Sequence, residues 1–396
     1  MIFSFWFSIS LIIYCYFGYP LLLELLSKLF CHLPQKKPLE PALSIVLSVW
    51  NEEDVLERKI KNFLALEYPP EKVEILIGSD GSTDKTNTII KQFNDPRVRL
   101  MESTLRRGKM ATINMLVRQA RNEIVVFTDA RQDFAPNALK ELVANFADPK
   151  VGCVSGELIF FERGGGTAQG INLYWRYEKW IRQNESAIHS MLGATGAIYA
   201  IRRELYTEIP DGIVLDDMFV PLKIIQQGFR AVIDPSAKAY DEAADSPREE
   251  YRRKVRTLAG NYQIFRVFRG MFNPLTSPVA IQLFSHKFLR VLVPFLMIVA
   301  FVSNGWLFYG RGDAPHAGPV YSVLFAAQIV FYCLAVTGGL ARHQKYGILK
   351  VLSKACYVPY VFCLLNFSAL AGFFRFARAK QDVAWERARG PKSGGC

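Results

Sequence analysis

The stretch Glu123-Ile-Val-Val-Phe-Thr-Asp-Ala-Arg131 decides the fold. Ile124 to Phe127 is a short apolar run rich in β-branched residues, which is typical of a strand buried on both faces of a parallel sheet. Asp129 follows at the carboxyl end of this strand, the edge where open α/β sheets bind their ligands. A carboxylate there could hold a divalent cation and a diphosphate. This stretch alone is equally consistent with an aspartate that only caps a loop.

The surrounding segments alternate between strand and helix. Further strands are predicted at 43–49, 73–78 and 98–101, with amphipathic helices between them. Ser82 or Thr83 is expected to cap the helix that carries Ile89 and Ile90. This order predicts a parallel sheet with right-handed crossovers and a nucleotide-binding half. Neither GxGxxG nor GxxxxGK[ST] occurs, which excludes the dinucleotide and P-loop classes.

Composition points to a membrane protein. Half of the 396 residues are hydrophobic (51%) and the formal net charge is +12. The basic residues cluster beside apolar segments, which favours the anionic cytoplasmic face of a membrane over nucleic acid. The cluster comprises Lys345, Lys350, Lys354, Arg375, Arg378 and Lys380. The seven cysteines have no paired spacing, so we expect neither a disulfide framework nor a zinc site.

Four apolar stretches, at 2–30, 289–309, 320–340 and 355–374, are long enough to cross a bilayer. The first lacks a basic n-region and a small-x-small cleavage site, so we interpret it as a retained transmembrane helix rather than a signal peptide. The predicted organisation is a transmembrane helix at 1–33, a catalytic domain at 42–270 and an interfacial segment at 271–288. About three transmembrane helices at 289–376 and a basic tail at 377–396 follow.

Four motifs occur in a characteristic order, and they are Ser79-Asp-Gly-Ser-Thr-Asp84, Asp129-Ala-Arg131, Leu215-Asp-Asp217 and Arg252-Arg-Lys-Val-Arg-Thr257. Their order and spacing resemble those of membrane-bound family 2 glycosyltransferases, relatives of the cellulose, chitin and hyaluronan synthases. The resemblance runs from about Leu43 to Asn261. It implies an α/β GT-A domain, which is Rossmann-like with a mixed, mainly parallel sheet, held between transmembrane α-helices.

The first motif looks like the family's DDGSTD. By that resemblance Asp80 would contact the uracil ring, with Asn51 and Glu52 near the nucleoside. Arg107-Gly-Lys109 is similar to the family's GK element, which implies that Lys109 reaches a phosphate. A helix-capping turn is the alternative for the first motif.

The second motif stands where the family has Asp-x-Asp, so Arg131 replaces the second carboxylate. Asp129, two phosphate oxygens and waters can still hold Mg²⁺ or Mn²⁺, because Mg²⁺ commonly uses few protein ligands. Alternatively, Arg131 pairs with a phosphate and partly replaces the metal. Asp133 is a further candidate for a second oxygen ligand.

The third motif aligns with the family's TED, whose last carboxylate is the general base. This assigns the base role to Asp217, because an acceptor hydroxyl is a poor nucleophile until a carboxylate takes its proton. Direct attack would invert the anomeric configuration. Asp216 is a neighbour that could contact the acceptor, and both aspartates could instead cap a helix. Gly196, at the end of Gly193-Ala-Thr-Gly196, fits a close backbone approach near the acceptor.

The fourth motif is similar to the family's QxxRW element. Arg253 and Arg256 match and suit a diphosphate, which needs permanently charged paired donors. Thr257 stands where Trp is expected. In the family's polymer makers that aromatic lies against the acceptor sugar, so its replacement favours the addition of one or a few sugars. A basic helix at the membrane surface is the alternative interpretation of this run.

The predicted function is inverting transfer of a hexose or N-acetylhexosamine from a UDP-sugar to a lipid-linked or glycan acceptor, in contact with membrane lipids and without nucleic acid. Because UDP-sugars are cytosolic, the catalytic domain should face the cytosol. One helix before it and three after it would then leave the basic tail outside, which the positive-inside rule disfavours. A processive polysaccharide synthase and a catalytically dead sugar-nucleotide-binding protein remain alternatives. The sugar is not predicted.

Overall fold

Eight strands form one mixed sheet in the computed structural model, which describes residues 1–161, 168–242, 247–309, 319–341 and 348–378. The strands are β1 (Leu43–Val49), β2 (Val73–Asp80), β3 (Val98–Ser103), β4 (Ile124–Thr128), β5 (Asp133–Phe134), β6 (Val151–Phe161), β7 (Tyr199–Arg202) and β8 (Arg230–Glu242). Their order across the sheet is β3-β2-β1-β4-β7-β6-β8-β5. β1 pairs in parallel with β2 and β4, and β2 with β3, whereas β7 joins β4 and β6 antiparallel. The predicted fold class is confirmed.

Thirteen helices accompany the strands within the described ranges. They are α1 (Ile2–Ile13), α2 (Tyr19–Leu29), α3 (Glu53–Leu64), α4 (Thr86–Lys91), α5 (Lys109–Gln119), α6 (Ala138–Ala144), α7 (Ala168–Ile188), α8 (Asp216–Gln226), α9 (Pro247–Val267), α10 (Ala280–Gln282), α11 (Leu289–Tyr309), α12 (Pro319–Ala341) and α13 (Ile348–Ala377). π-helical turns at Tyr14–Gly18 and Leu283–Phe288 join α1 to α2 and α10 to α11. The basic helix predicted at 250–262 is α9, which extends beyond the predicted range at both ends.

Two apolar layers cover the sheet, one on each face. All seven residues of β1 and all five of β4 are buried, as expected for central parallel strands. Side chains of α5, α8 and α9 pack on one face, and side chains of α3 and α6 pack on the other. The carboxyl ends of β1, β2 and β4 consequently open at the same edge of the sheet.

Four helical segments are long and apolar enough to cross a membrane, and they run from Ile2 to Leu29, Ala280 to Tyr309, Pro319 to Leu340 and Cys356 to Ala377. The prediction of transmembrane helices is confirmed, and the chain is a membrane protein. The second segment begins at Ala280, so part of the stretch predicted as interfacial is continuous with a membrane helix. Most of the predicted basic tail, from residue 379 onward, lies outside the described residues.

A buried ionic network joins the membrane helices to α7 of the sheet domain. His286 lies between two carboxylates of α7, with its Nδ1 2.8 Å from Glu185 and its Nε2 2.9 Å from Glu178. Arg290 donates to Glu178 over 2.6 Å, and Lys287 lies 3.1 Å from the same carboxylate. Each ring nitrogen of His286 therefore has a carboxylate of α7 as its partner. The network therefore fastens α7 to the start of the second membrane segment.

Two glycines allow α9 to pack closely between α8 and α13. A Cβ on Gly260 would lie 2.7 Å from Cγ of Leu215, the residue before α8. A Cβ on Gly372 of α13 would lie 3.0 Å from the backbone nitrogen of Ala259. The basic helix thus contacts a membrane helix on one side and the start of α8 on the other.

Candidate active site

The residue predicted to reach a phosphate bridges two of the predicted carboxylates. Nζ of Lys109 lies 3.0 Å from Oδ1 of Asp129 and 3.3 Å from Oδ2 of Asp216. Asp129 follows β4, Lys109 begins α5, and Asp216 begins α8. The side chain of Asp216 is only 8% exposed, whereas that of Asp129 is 31% exposed. The more accessible carboxylate is therefore the one predicted to bind a metal.

The predicted general base faces Asp129 across a glycine. A Cβ built on Gly196 would lie 3.4 Å from Oδ2 of Asp217 and 3.8 Å from Oδ2 of Asp129. Because glycine has no Cβ, this space is open to both carboxylates. The structure thus brings together three residues that the sequence analysis assigned to the base, the metal and the acceptor.

Electrostatics at this point favour a carboxylate that exchanges a proton near neutral pH. Burial and the neighbouring charge of Asp216 together raise the pKa of Asp217 to about 7, although the charge of Lys109 opposes the shift. Burial alone would lower the pKa of Lys109, but the carboxylates of Asp129 and Asp216 outweigh it and raise this pKa. Lys109 therefore stays positively charged while Asp217 can accept a proton.

A half-buried arginine that the sequence analysis missed holds the glycine loop in place. Arg182 of α7 donates to the carbonyl of Gly193 over 2.8 Å and to the hydroxyl of Thr195 over 3.2 Å. The backbone N–H of Thr195 donates to Oγ of Ser155, and that of Ala194 donates to the carbonyl of Asp217 over 2.6 Å. Arg182 lies four positions after Glu178, about one helical turn along α7, and this spacing was the only signal in the sequence that could have indicated it.

Asp80 connects β2 to the beginning of α5. Its carboxylate accepts hydrogen bonds from the backbone N–H groups of Arg107 (2.7 Å) and Gly108 (2.8 Å). Gly108 has φ +94°, a left-handed conformation that favours glycine. Asp80 therefore fixes the loop that delivers Lys109, and its predicted contact with uracil stays a prediction.

Asn51 and Glu52 fix the turn after β1 against the turn after β2. The backbone N–H of Asn51 donates to Oγ of Ser82, and that of Glu52 donates to Oγ1 of Thr86 over 2.9 Å. The predicted cap of α4 was wrong, because Oδ1 of Asp84 accepts the N–H of Thr86 instead. The Ser82 hydroxyl instead accepts a hydrogen bond from the backbone N–H of Asn51, so it does not cap α4. The predicted nucleoside contacts of Asn51 and Glu52 remain predictions.

The three site residues predicted from the fourth motif lie on α9. Arg253, Arg256 and Thr257 precede Gly260, and α9 meets the start of α8 at that glycine. Because Gly260 approaches Leu215, the residue before Asp216, the backbone of α9 lies beside the carboxylate cluster. For Arg253 and Arg256 to contact a diphosphate, their side chains must extend from α9 toward it, and these contacts remain predictions.

The carboxylates fit a metal that takes most of its ligands from substrate and water. Within the described ranges, no three or more His, Cys, Asp or Glu side chains are grouped as a metal site. Oδ2 of Asp129 nevertheless faces the open space at Gly196. Mg²⁺ is commonly bound through one or two carboxylates together with substrate phosphates. Asp129 fits that role, whereas a site formed by protein ligands alone does not match these residues.

Comparison with known proteins identifies the domain that carries this site. The family described as Glycosyl transferase family 2 matches residues 44–209. Residues 44–209 are therefore a glycosyl transferase family 2 domain. The matched range includes Lys109, Asp129 and Gly196, and it ends before Asp217.

Two curated proteins are similar to this chain over a region that includes the family 2 domain. A poly-beta-1,6-N-acetyl-D-glucosamine synthase of Staphylococcus aureus (strain MSSA476) is 25% identical over 243 residues, which cover 59% of this chain and 57% of the synthase. The chain thus matches little more than half the length of that relative. The probable glycosyltransferase YdaM of Bacillus subtilis (strain 168) is 22% identical over 284 residues, covering 68% of this chain and 67% of YdaM.

A solved structure matches nearly the whole chain. The mannosyltransferase PcManGT from Pyrobaculum calidifontis, determined in complex with GDP-Man and Mn²⁺, has a TM-score of 0.70 at 23% identity. The alignment covers 94% of this chain and 99% of PcManGT. This likeness supports the GT-A fold and the arrangement of helices around it.

Proposed function

We propose that the protein is an inverting glycosyltransferase that transfers a hexose or N-acetylhexosamine from a UDP-sugar to a hydroxyl of a lipid-linked or glycan acceptor. The observation that carries this proposal is the approach of the Asp217 and Asp129 carboxylates to one open space at Gly196. A base and a diphosphate-binding carboxylate on either side of a small space suit displacement at a sugar carbon between them.

Asp217 is the general base in this proposal. Its carboxylate takes the proton of the acceptor hydroxyl as the hydroxyl oxygen bonds to the anomeric carbon. The bond from that carbon to the UDP oxygen breaks, and UDP leaves with the electron pair. Attack opposite the leaving group turns an α-linked donor into a β-linked product. A base with a pKa of about 7 is well matched to this proton transfer at neutral pH.

Cations of the chain hold the leaving diphosphate. Lys109 lies at the centre of the cluster and can move its ammonium group from the carboxylates to a phosphate oxygen. Arg253 and Arg256 of α9 supply further permanent charges, since guanidinium groups pair with phosphates through two hydrogen bonds. Asp129 would hold Mg²⁺ or Mn²⁺ with the diphosphate, and such an ion neutralises charge on the leaving group.

The membrane side is inferred from where UDP-sugars occur, and the donors to test are chosen from the named relatives. UDP-sugars are cytosolic, so the catalytic domain faces the cytosol and the chain lies in the inner or plasma membrane. The curated Staphylococcus relative is named for a polymer of N-acetyl-D-glucosamine. UDP-N-acetylglucosamine is accordingly the first donor to test, and GDP-mannose is the comparison donor because PcManGT was determined with GDP-Man.

The test is release of the nucleoside diphosphate, UDP or GDP, by the detergent-purified chain with a panel of nucleotide sugars and lipid-linked acceptors. We expect release with one UDP-sugar and a loss of about 100- to 10,000-fold in Asp217→Asn. Asp54→Asn is the matched control, because Asp54 is an exposed aspartate in the first turn of α3. Full transfer by Asp217→Asn would show that the base assignment is wrong.

A processive synthase is the second candidate, favoured by the match to a polymer synthase. Product length separates the two. Thr257, where the polymer makers have Trp, leads us to expect one or a few added sugars, and long chains from the purified protein would overturn that expectation. Binding of UDP without turnover, in any donor and acceptor combination, would instead indicate a sugar-nucleotide-binding protein.

A further inference from the structure

Lys59 of α3 is a fully buried lysine beneath the turn that carries Asp129. Its side chain has no exposed surface, and its Nζ donates to the Thr128 hydroxyl over 3.0 Å and to the carbonyl of Gln132. Nζ also lies 4.6 Å from the ring centre of Phe63 and 4.5 Å from that of Phe134. A buried ammonium group needs such partners, because burial of an unpaired charge is costly.

The two acceptors of Lys59 lie on either side of the functional segment. Thr128 precedes Asp129, and Gln132 follows Arg131. The ammonium group therefore connects both ends of the turn at residues 129–131. In this turn, Arg131 occupies the position where the family has its second carboxylate.

The Thr128 hydroxyl extends this support to the glycine loop. While it accepts from Lys59, Oγ1 of Thr128 lies 2.9 Å from the carbonyl of Ala197 and can donate to it. Ala197 follows Gly196, whose Cα lies beside Oδ2 of Asp129 and of Asp217. One short chain of hydrogen bonds thus links the buried lysine to both sides of the open space.

The preceding residue supports the same turn from the solvent side. Arg58 donates from Nη2 to the carbonyl of Arg131 over 2.6 Å, and its Nε lies 3.3 Å from Oδ2 of Asp133. The Arg58 side chain is 54% exposed, so its pairing with Asp133 contributes little by itself. The buried contacts of Lys59 are the ones that are protected from water.

We infer that Lys59 is a positioning residue that orients Asp129 and the turn up to Arg131 toward the metal–diphosphate group of the donor. The inference rests on the proposed function. Partners that orient a metal ligand through hydrogen bonds typically change metal affinity by about 10- to 100-fold when they are removed. A lysine that only fills the core would affect stability and would leave the metal-dependent part of binding unchanged.

The experiment compares UDP affinity in Mn²⁺ and in EDTA by calorimetry on the detergent-purified full chain. The ratio of the two affinities is the metal-dependent gain. Lys59→Met keeps the length and the apolar contacts of the side chain but removes both hydrogen bonds. Thr128→Val removes the hydroxyl that receives one of them and keeps a similar shape. Lys61→Met is the matched control, because Lys61 is exposed on the same helix and pairs only with Glu57 among the described residues.

We expect Lys59→Met and Thr128→Val to lower the metal-dependent gain by about 10- to 100-fold while UDP affinity in EDTA stays at the wild-type value. Lys61→Met should match the wild type in both conditions. If Lys59→Met does not fold, the result for Thr128→Val decides. An unchanged gain in the variants, or an equal loss of affinity in Mn²⁺ and EDTA, would overturn the inference.

The wild-type protein separates this inference from the proposed function. UDP binding with no metal-dependent gain would overturn the role of Lys59, while the UDP-release assay could still support sugar transfer. No UDP binding by the wild type would overturn the proposed donor, and the inference with it.

Discussion

The ammonium group of Lys109 lies 3.0 Å from the carboxylate of Asp129 and 3.3 Å from that of Asp216. One cation thus neutralises two carboxylates of which one is predicted to hold a metal. A divalent cation at Asp129 must therefore compete with Lys109 unless a diphosphate draws the lysine away. This relationship predicts that metal and donor bind together more tightly than either binds alone.

Lys109→Met should change the two affinities in opposite directions. Without the competing ammonium group, Mn²⁺ affinity in the absence of nucleotide should rise about tenfold, which corresponds to about 1.4 kcal/mol. UDP affinity should fall by a similar factor, because a phosphate contact is lost. Titrations with Mn²⁺ alone and with UDP alone measure the two effects. Lys91→Met, which breaks an exposed ion pair with Glu102, should change neither. A decrease in both affinities would contradict the competition.

Transfer should depend on pH through Asp217. A base works in its deprotonated form, so kcat/KM should fall as pH decreases below about 7, the value to which burial and Asp216 raise this pKa. Asp216→Asn removes the neighbouring negative charge and should move this acidic limb to lower pH. Rate profiles of the wild type and of Asp216→Asn provide the measurement. An unmoved limb would assign the titration to another group.

Gly196→Ala should reduce turnover with little effect on stability. The added methyl group would make ordinary contacts of 3.4 Å with Asp217 and 3.8 Å with Asp129. It would occupy the space where we place the reacting atoms, so we expect kcat to fall about 100-fold. Gly270→Ala is the control, because a Cβ there has no neighbour within 4 Å. Melting temperature and kcat, measured on both variants, distinguish a blocked site from a damaged fold.

Gly260→Ala should be rescued by a change at Leu215. The new Cβ would lie 2.7 Å from Cγ of Leu215, so α9 or the start of α8 must shift at a cost of about 1–3 kcal/mol. Leu215→Ala in the same chain removes the clashing atoms and should restore part of the lost activity. The double-mutant cycle, measured by thermal unfolding and UDP release, tests this. Independent, additive losses would mean that the two residues do not determine this packing.

Local sequence patterns were sufficient for the first half of the sheet. β1 and β4 are apolar runs whose burial follows from composition, and Asp129 lies where the strand ends. β5 and β8 were not predicted, because the two residues of β5 gain their structure only by pairing with Tyr240 and Ala239, more than 100 residues away.

The site was predicted where motifs mark it and missed where support comes from a distance. Lys59 lies between Arg58 and Lys61 in a charged helix, so the pattern resembles a solvated face. Its burial depends on Thr128 and Gln132, which approach only after the sheet forms. The role of His286 could not be predicted from the sequence for the same reason, since both of its carboxylate partners are more than 100 residues away.

The ionic network of His286 has a consequence for where the chain can be divided. Shortening the protein before Ala280 would remove His286, Lys287 and Arg290 together and leave Glu178 and Glu185 of α7 without these partners. Loss of one partner of a buried ion pair typically costs about 3–5 kcal/mol, a large share of the stability of a domain. We therefore expect the sheet domain to lose stability when it is separated from the membrane helices, and α7 is the element through which that loss would act.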